Sequence, residues 1–328
     1  MSKAKVFVTR IIPEPGMQTV RDAVDATVWP EDLPPPRETV LDGVRGCDGI
    51  LSLLTTPIDQ EVMDAAGSQL KVVSNYAVGF DNVDTDTATA RNIPVGHTPD
   101  VLTDTTADFA FTLLMAAARR VTEGSRYVLE GKWQTWGPSL LLGQDITGAT
   151  LGIVGFGRIG KGMAHRASGF DMDILFADDW VAADDPVAVA MGARKVDLDT
   201  LLTESDFVSV HTPLTPETTH LFDAAAFARM KSTAILINTA RGPLVNPDDL
   251  HAALKSGDIL YAALDVTEPE PLPLDSPLLE LDNIIVVPHI ASASVTTRAR
   301  MSEIAAANLL AGLEGRRLPH CANPEVYG

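Results

Sequence analysis

An α/β architecture with two doubly wound parallel sheets is the fold this sequence predicts. Three observations carry that expectation. Short apolar runs of strand length alternate with helical stretches along nearly the whole chain, the rhythm that parallel strands with right-handed crossovers produce. The composition is 45% hydrophobic but only 5% aromatic, so the interior is built from Val, Ile, Leu and Ala, as buried parallel sheets require. The run G-F-G-R-I-G at 155–160 follows an apolar strand and opens a helix. With 328 residues, the chain is long enough for two ordinary domains.

Taken in order, strands are expected at 5–9, 49–54, 71–74 and 93–96, with helices between them that include 59–66 and 84–91. The prolines 34–36 form a loop rather than a linker, because the same alternation resumes after them. A long helix is expected over 103–121, where Ala107, Ala110, Phe111, Leu114, Met115 and Ala118 form a broad apolar stripe. Residues 133–148 lose all periodicity while keeping Trp133, Trp136 and three consecutive leucines. Such an apolar irregular arm is expected to press against another surface, such as a second subunit. A second series then supplies strands at 150–154, 173–176, 207–210, 234–238, 261–264 and 284–287, enough for a complete dinucleotide-binding domain. A final helix over 294–314 leads into a polar tail.

Charge and composition exclude several function classes. The formal net charge of −19 is the wrong sign for binding phosphate backbones, so no nucleic-acid partner is expected. The longest nearly apolar stretch, 109–118, is about half of what a membrane span needs. The N-terminus lacks the pattern of a secretory signal, so a soluble, cytoplasmic protein without a membrane partner is expected. Cys47 and Cys321 have no neighbours at ligand spacing, which argues against a disulfide framework or a metal site. The acidic excess comprises 30 Asp against 14 Glu, and the basic residues 17 Arg against 8 Lys. A salt-rich cytosol and a GC-rich genome both favour that bias.

The glycine-rich run carries the cofactor signal. Gly155 permits the tight turn, Gly157 lets the backbone approach a pyrophosphate, and Gly160 allows close packing of helix on strand. The helix they open, beginning with Arg158 and Ile159, offers unpaired N–H groups to phosphate charge. About 20 residues on, Asp178-Asp179 stands at the end of the next strand. A carboxylate there accepts both hydrogen bonds of the adenosine ribose and repels a 2′-phosphate. At ~5 Å and an effective dielectric of ~20, each like-charge pair costs roughly 3 kcal/mol, more than a hundredfold in affinity. With Asp178 as the ribose contact and no arginine close behind it, NAD(H) is the expected cofactor.

Three charged residues follow other strands of the same series: Arg241 in N-T-A-R-G-P-L-V, Glu270 in L-D-V-T-E-P-E-P, and His289 in V-P-H-I-A-S-A. Ligands of open α/β sheets bind outside the carboxyl ends of the strands, so all three can meet in one crevice, although spacing does not show that they do. Glu268 competes with Glu270 for the same role.

At these residues the chain resembles the D-2-hydroxyacid dehydrogenase family, and within it the glyoxylate/hydroxypyruvate reductases. The resemblance runs through N-Y-A-V-G-F-D-N at 75–82, G-H-T-P-D-V-L-T at 96–103, the glycine-rich run, N-T-A-R-G-P-L-V at 238–245, L-D-V-T-E-P-E-P-L-P at 264–273 and P-H-I-A-S-A at 288–293. It implies Rossmann- and flavodoxin-like domains with a cleft between them. A discontinuous substrate domain would comprise 1–100 and 291–328, and an NAD-binding domain 101–290, with the crossings as hinges. Arg241 would grip the substrate carboxylate bidentately, and His289 would act as general acid/base in reducing a small 2-oxo acid. Glu270, rather than Glu268, matches the glutamate that places negative charge beside the imidazole. The N–H groups of Val78 and Gly79 would line the substrate-carboxylate loop, with Leu53 near the far end of the substrate. His211, Thr212, Thr239 and Ala240 would line the cofactor site. Asp265 would contact the nicotinamide carboxamide, although a strand-end cap explains it equally from the residues alone. His97 reads as a loop or hinge residue, and His165, His220, His251 and His320 as surface groups. A homodimer is also implied.

The chain departs from the family pattern in places. Ala291 replaces a usual glycine, and Thr267 an aromatic residue. The threonine is shared with mammalian-type reductases that often favour NADPH, against which Asp178-Asp179 stands. The tail Asn323-Pro324-Glu325-Val326 is similar to that of ketogluconate and glycerate dehydrogenases. Oxidation of phosphite, reduction of 2-ketogluconate and non-catalytic NAD(H) sensing remain alternative readings of the same scaffold.

Overall fold

The computed structural model describes residues 3–328, so the part of the N-terminal reading that rests on Met1 and Ser2 lies outside the described residues. The chain divides into two compact units, Met1–Leu102 with Ala293–Gly328, and Thr103–Ser292.

In the first unit, β1 (Lys5–Val8), β2 (Asp25–Val28), β3 (Gly49–Leu53), β4 (Val72–Tyr76) and β5 (Val95–Gly96) form one parallel sheet in the order β2-β1-β3-β4-β5. Its inner strands are buried almost throughout because both faces are covered, and the polar Ser52, Ser74 and Asn75 within them are hydrogen-bonded. Helix Gln60–Ala66 begins where the Asp59 carboxylate accepts from the Val62 N–H, and helix Thr85–Ala90 where Asp84 accepts from the Thr87 N–H. The final helix, Val295–Leu313, is capped by Ser294 and buries Met301, Ala305, Ala306 and Leu309; the Ser74 hydroxyl donates to its Ala305 carbonyl. Residues 320–323 return along the sheet edge, with Cys321 bridged antiparallel to Gly96.

The second unit holds seven parallel strands in the order β12-β11-β10-β9-β6-β7-β8. These are β6 (Thr150–Val154), β7 (Asp173–Ala177), β8 (Arg194–Lys195), β9 (Phe207–Val210), β10 (Ile235–Asn238), β11 (Tyr261–Leu264) and β12 (Ile284–Val286). The order reverses between β6 and β9, the switch point at which doubly wound sheets bind their ligands.

Two differences from the sequence expectation have physical causes. β2 and β8 were not expected. Both lie at sheet edges, where an alternating half-exposed tetrapeptide and a two-residue strand leave little apolar signal. The long helix ends at Ala118 rather than residue 121. Arg120 turns left-handed at φ +52°, the Ala118 carbonyl accepts from the Gln144 N–H, and a separate helix runs Val121–Leu129. The arm after it is free of helix and strand, and it exposes Trp133, Trp136 and Leu142. Both cysteines are free thiols, and no helix among the described residues is long and apolar enough to cross a membrane.

Candidate active site

The glycine-rich turn sits at the switch point of the second unit. Gly155 adopts φ +90°, and a Cβ there would lie 2.5 Å from the Thr212 backbone nitrogen, so turn and following strand end are in contact. A Cβ on Gly160 would collide with the Gly155 carbonyl. A Cβ on Gly157 would meet open space, the side from which a ligand can approach. Helix Arg158–Ser168 starts at Gly157 without any side-chain cap, leaving its first N–H groups to an anion. Between the glycines, Phe156 is fully buried and stacks on Phe176 of β7 at 4.2 Å, which anchors the loop.

Asp178 does more than the sequence suggested. One oxygen accepts from the Phe156 N–H at 2.7 Å, the other from the Trp180 and Val181 N–H groups at 2.8 and 2.9 Å. Of about four acceptor positions on a carboxylate, three hold the loop, leaving room for one ribose hydroxyl rather than two. Asp179 beside it is exposed.

Thr239 fits a bound dinucleotide independently: its hydroxyl is buried and finds no hydrogen-bond partner. Ala240 follows it, its N–H held by the Asn238 side chain. Thr212 lies against the Gly155 turn, and His211 Nε2 meets the Ser209 hydroxyl at 2.8 Å. Burial pushes the His211 imidazole down to about 4, so it is neutral near pH 7 and suited to lining a site rather than exchanging protons there.

Arg241, Glu270 and His289 follow three adjacent strands, β10, β11 and β12. Arg241 is half-buried, and its guanidinium donates to the Ala240 carbonyl at 2.8 Å. The next residue, Gly242, has no space for a Cβ because the Thr267 carbonyl is there. The turn carrying Arg241 therefore packs directly on the turn carrying Glu270. His289 Nδ1 lies 2.6 Å from Glu270 Oε1. A carboxylate only accepts, so Nδ1 carries the proton of that bond and Nε2 remains for a substrate. The Thr267 N–H, 3.4 Å from the other Glu270 oxygen, supports it from behind. Glu268 is engaged elsewhere, 2.7 Å from His220 Nε2, which separates the two glutamates.

His289 stands in the left-handed region at φ +54°. Asp265, 1% exposed, holds it there: its carbonyl accepts from the His289 N–H, and its carboxylate oxygens from the Ile290 and Ala291 N–H groups at 2.6 and 2.8 Å. Burial pushes the Asp265 carboxyl up, opposed by those two N–H groups. The Asp265 carboxylate thus caps the turn that follows β12. Ala291 sits buried in the same turn.

In the first unit, Leu53, Val78 and Gly79 are gathered by side chains that hold their carbonyls. Asn82 Nδ2 donates to Leu53 and Thr56, Asn75 Nδ2 to Gly79, and His97 Nδ1 to Val78. The motif N-Y-A-V-G-F-D-N contained both asparagines, but nothing in its spacing assigned them this work. His220, paired with Glu268, and His320, whose N–H donates to the Asn308 side chain, are partly exposed, as is His251, and His165 is exposed. Among the described residues no group of three or more His, Cys, Asp or Glu is disposed to hold a metal ion.

Dinucleotide turn, arginine and Glu–His pair around one sheet edge describe a nicotinamide-dependent oxidoreductase. Residues 111–291 match the model of the D-isomer specific 2-hydroxyacid dehydrogenase NAD-binding domain. The chain is 51% identical over 325 residues to a glyoxylate reductase of Korarchaeum cryptofilum, covering 99% of this chain and 97% of the relative. It is 49% identical to one of Thermofilum pendens, covering 99% and 96%. Among solved structures, the TT0316 protein of Thermus thermophilus superposes with a TM-score of 0.91 at 45% identity, covering 97% of this chain and 99% of that one. An NADPH-dependent glyoxylate/hydroxypyruvate reductase of Sinorhizobium meliloti, in complex with NADP and malonate, superposes at 0.86 with 29% identity, covering 99% and 98%. The chain belongs to the D-isomer specific 2-hydroxyacid dehydrogenase family.

Proposed function

We propose that the protein is an NAD(H)-dependent reductase of glyoxylate and hydroxypyruvate. The observation that carries the chemistry is the His289–Glu270 pair beside the Arg241 turn, with Nε2 of His289 left to act on a substrate. The nicotinamide supplies the hydride. Arg241 grips the carboxylate of the 2-oxo acid with its planar two-pronged guanidinium, fixing the ketone carbon. His289 Nε2 gives its proton to the oxygen that becomes the hydroxyl, and takes it back in the reverse direction. Glu270 holds the ring orientation and supplies negative charge beside the imidazolium. Val78 and Gly79 present N–H groups to the substrate, and Leu53 lies near its far end.

Asp178 and Asp179 favour NAD(H) over NADP(H), because two carboxylates at the ribose end repel a 2′-phosphate. The exposed apolar arm with Trp133, Trp136 and Leu142 supports a homodimer, in which a second subunit would cover it.

Glyoxylate yields an achiral product, so hydroxypyruvate is the discriminating substrate. Incubation with NADH should give D-glycerate. Formation of the L isomer, or no turnover at all, would overturn the assignment.

A further inference from the structure

We propose that His97 is a positioning residue, one that locks the orientation of the peptide whose N–H belongs to Gly79. A trans peptide is planar, with its C=O and N–H pointing in opposite directions. Whatever holds the carbonyl of one residue therefore aims the N–H of the next. The two N–H groups assigned to the substrate loop are held in this way by consecutive residues. The Ala77 carbonyl accepts from the Thr98 N–H at 2.8 Å, which aims the Val78 N–H. The Val78 carbonyl accepts from His97 Nδ1 at 2.9 Å, which aims the Gly79 N–H. The first hold is backbone on backbone, and almost any residue at 98 supplies it. The second depends on the side chain at 97.

His97 is itself fixed on three sides. Its N–H donates to the His320 carbonyl at 3.2 Å, and its carbonyl accepts from Asn308 Nδ2 at 2.9 Å. Its ring meets Phe80 edge-on, with centroids 5.6 Å apart. Asn308 also accepts from the His320 N–H, so helix Val295–Leu313 and the returning tail form a rigid backing behind the ring. A glycine in the loop lowers the barrier to a peptide flip, since no Cβ opposes the alternative conformation. A flip of the Val78–Gly79 peptide would present a carbonyl oxygen to a substrate carboxylate where a donor is needed. His97 selects the donor orientation before substrate arrives.

This inference rests on the proposed role of Val78 and Gly79 in binding a 2-oxo acid, and the test separates the two. Steady-state kinetics with NADH and glyoxylate would be measured for the unaltered enzyme, H97F and H97N, together with thermal midpoints and NADH affinity. Turnover by the unaltered enzyme tests the functional reading alone. Phenylalanine keeps the ring against Phe80 but cannot donate; asparagine gives up the ring but places an amide donor near the position of Nδ1. The expected result is a rise of about tenfold in KM for glyoxylate in H97F, the worth of one charge-assisted hydrogen bond. Its kcat and NADH affinity should change little, and H97N should return KM towards that of the unaltered enzyme. An unaltered KM in H97F, or equal damage in H97F and H97N, would overturn the proposal.

Discussion

His289, the proposed general acid, shows how the local structure fixes the backbone and ring of a single residue. Its left-handed backbone costs about 1 kcal/mol or more and persists because Asp265 engages three successive N–H groups around it. Its ring is aimed by Glu270, whereas Glu268, two residues away, serves His220. The residues alone named both glutamates as candidates. What separates them is the path of the Glu-Pro-Glu-Pro turn, which spacing does not encode. Accordingly, E270Q should lower kcat about a hundredfold and H289A by about 10²–10⁴, with NADH affinity nearly retained. E268Q should stay within about twofold, because the Glu268 carboxylate pairs with His220 and not with His289. Equal loss in the two glutamate variants would break the assignment. His211 makes a second prediction, in pH. Its folded imidazole protonates near 4 and its unfolded one near 6.5, so between these values the unfolded chain holds more protons and stability rises with pH. The contribution is complete above 6.5 and is lost as pH falls towards 4. Because His211 keeps some solvent exposure, about 3 kcal/mol is its upper bound. The thermal midpoint should therefore drop through that window, and H211Q should flatten the slope. An H211Q profile as steep as the original would remove His211 as the cause.

The strand–turn–helix at 150–168 was the most legible element, because each glycine has a separate steric reason that sequence alone expresses. Those reasons part company under substitution. G157A places its methyl in open space, so the fold should keep its thermal midpoint while NADH affinity falls at least about tenfold from obstruction of the phosphate approach. G155A forces a Cβ at φ +90° against Thr212 and should destabilise the fold itself by more than about 1 kcal/mol. Differential scanning fluorimetry with and without NADH distinguishes the two; identical behaviour would contradict the cradle described here. Strands β6, β9 and β11 were readable to the residue, since apolar runs buried on both faces announce themselves. The edge strands β2 and β8 and the helix Val121–Leu129, which buries no residue completely, were not, because their formation depends on neighbours distant in sequence.

For the whole molecule, the order of the elements was legible apart from β2, β8 and the helix Val121–Leu129, and the wiring of the site was not. The carbonyl holds on Leu53, Val78 and Gly79 join residues up to 29 positions apart and leave no pattern in the chain. The charge of −19 is a whole-molecule property with its own prediction. If the acidic, lysine-poor surface is a salt adaptation, activity and thermal midpoint should rise together as KCl approaches molar concentration. Mutual repulsion is screened within ~3 Å at 1 M salt. Full activity in dilute buffer would assign the bias to codon composition instead. The family assignment, the Arg241–Glu270–His289 set and the ribose-end aspartates converge on one measurement: initial rates with NADH and NADPH against glyoxylate, hydroxypyruvate, pyruvate and 2-ketogluconate. Fastest turnover is expected for glyoxylate or hydroxypyruvate with NADH, and at least about tenfold slower turnover with NADPH. NADH binding without turnover of any 2-oxo acid would contradict it.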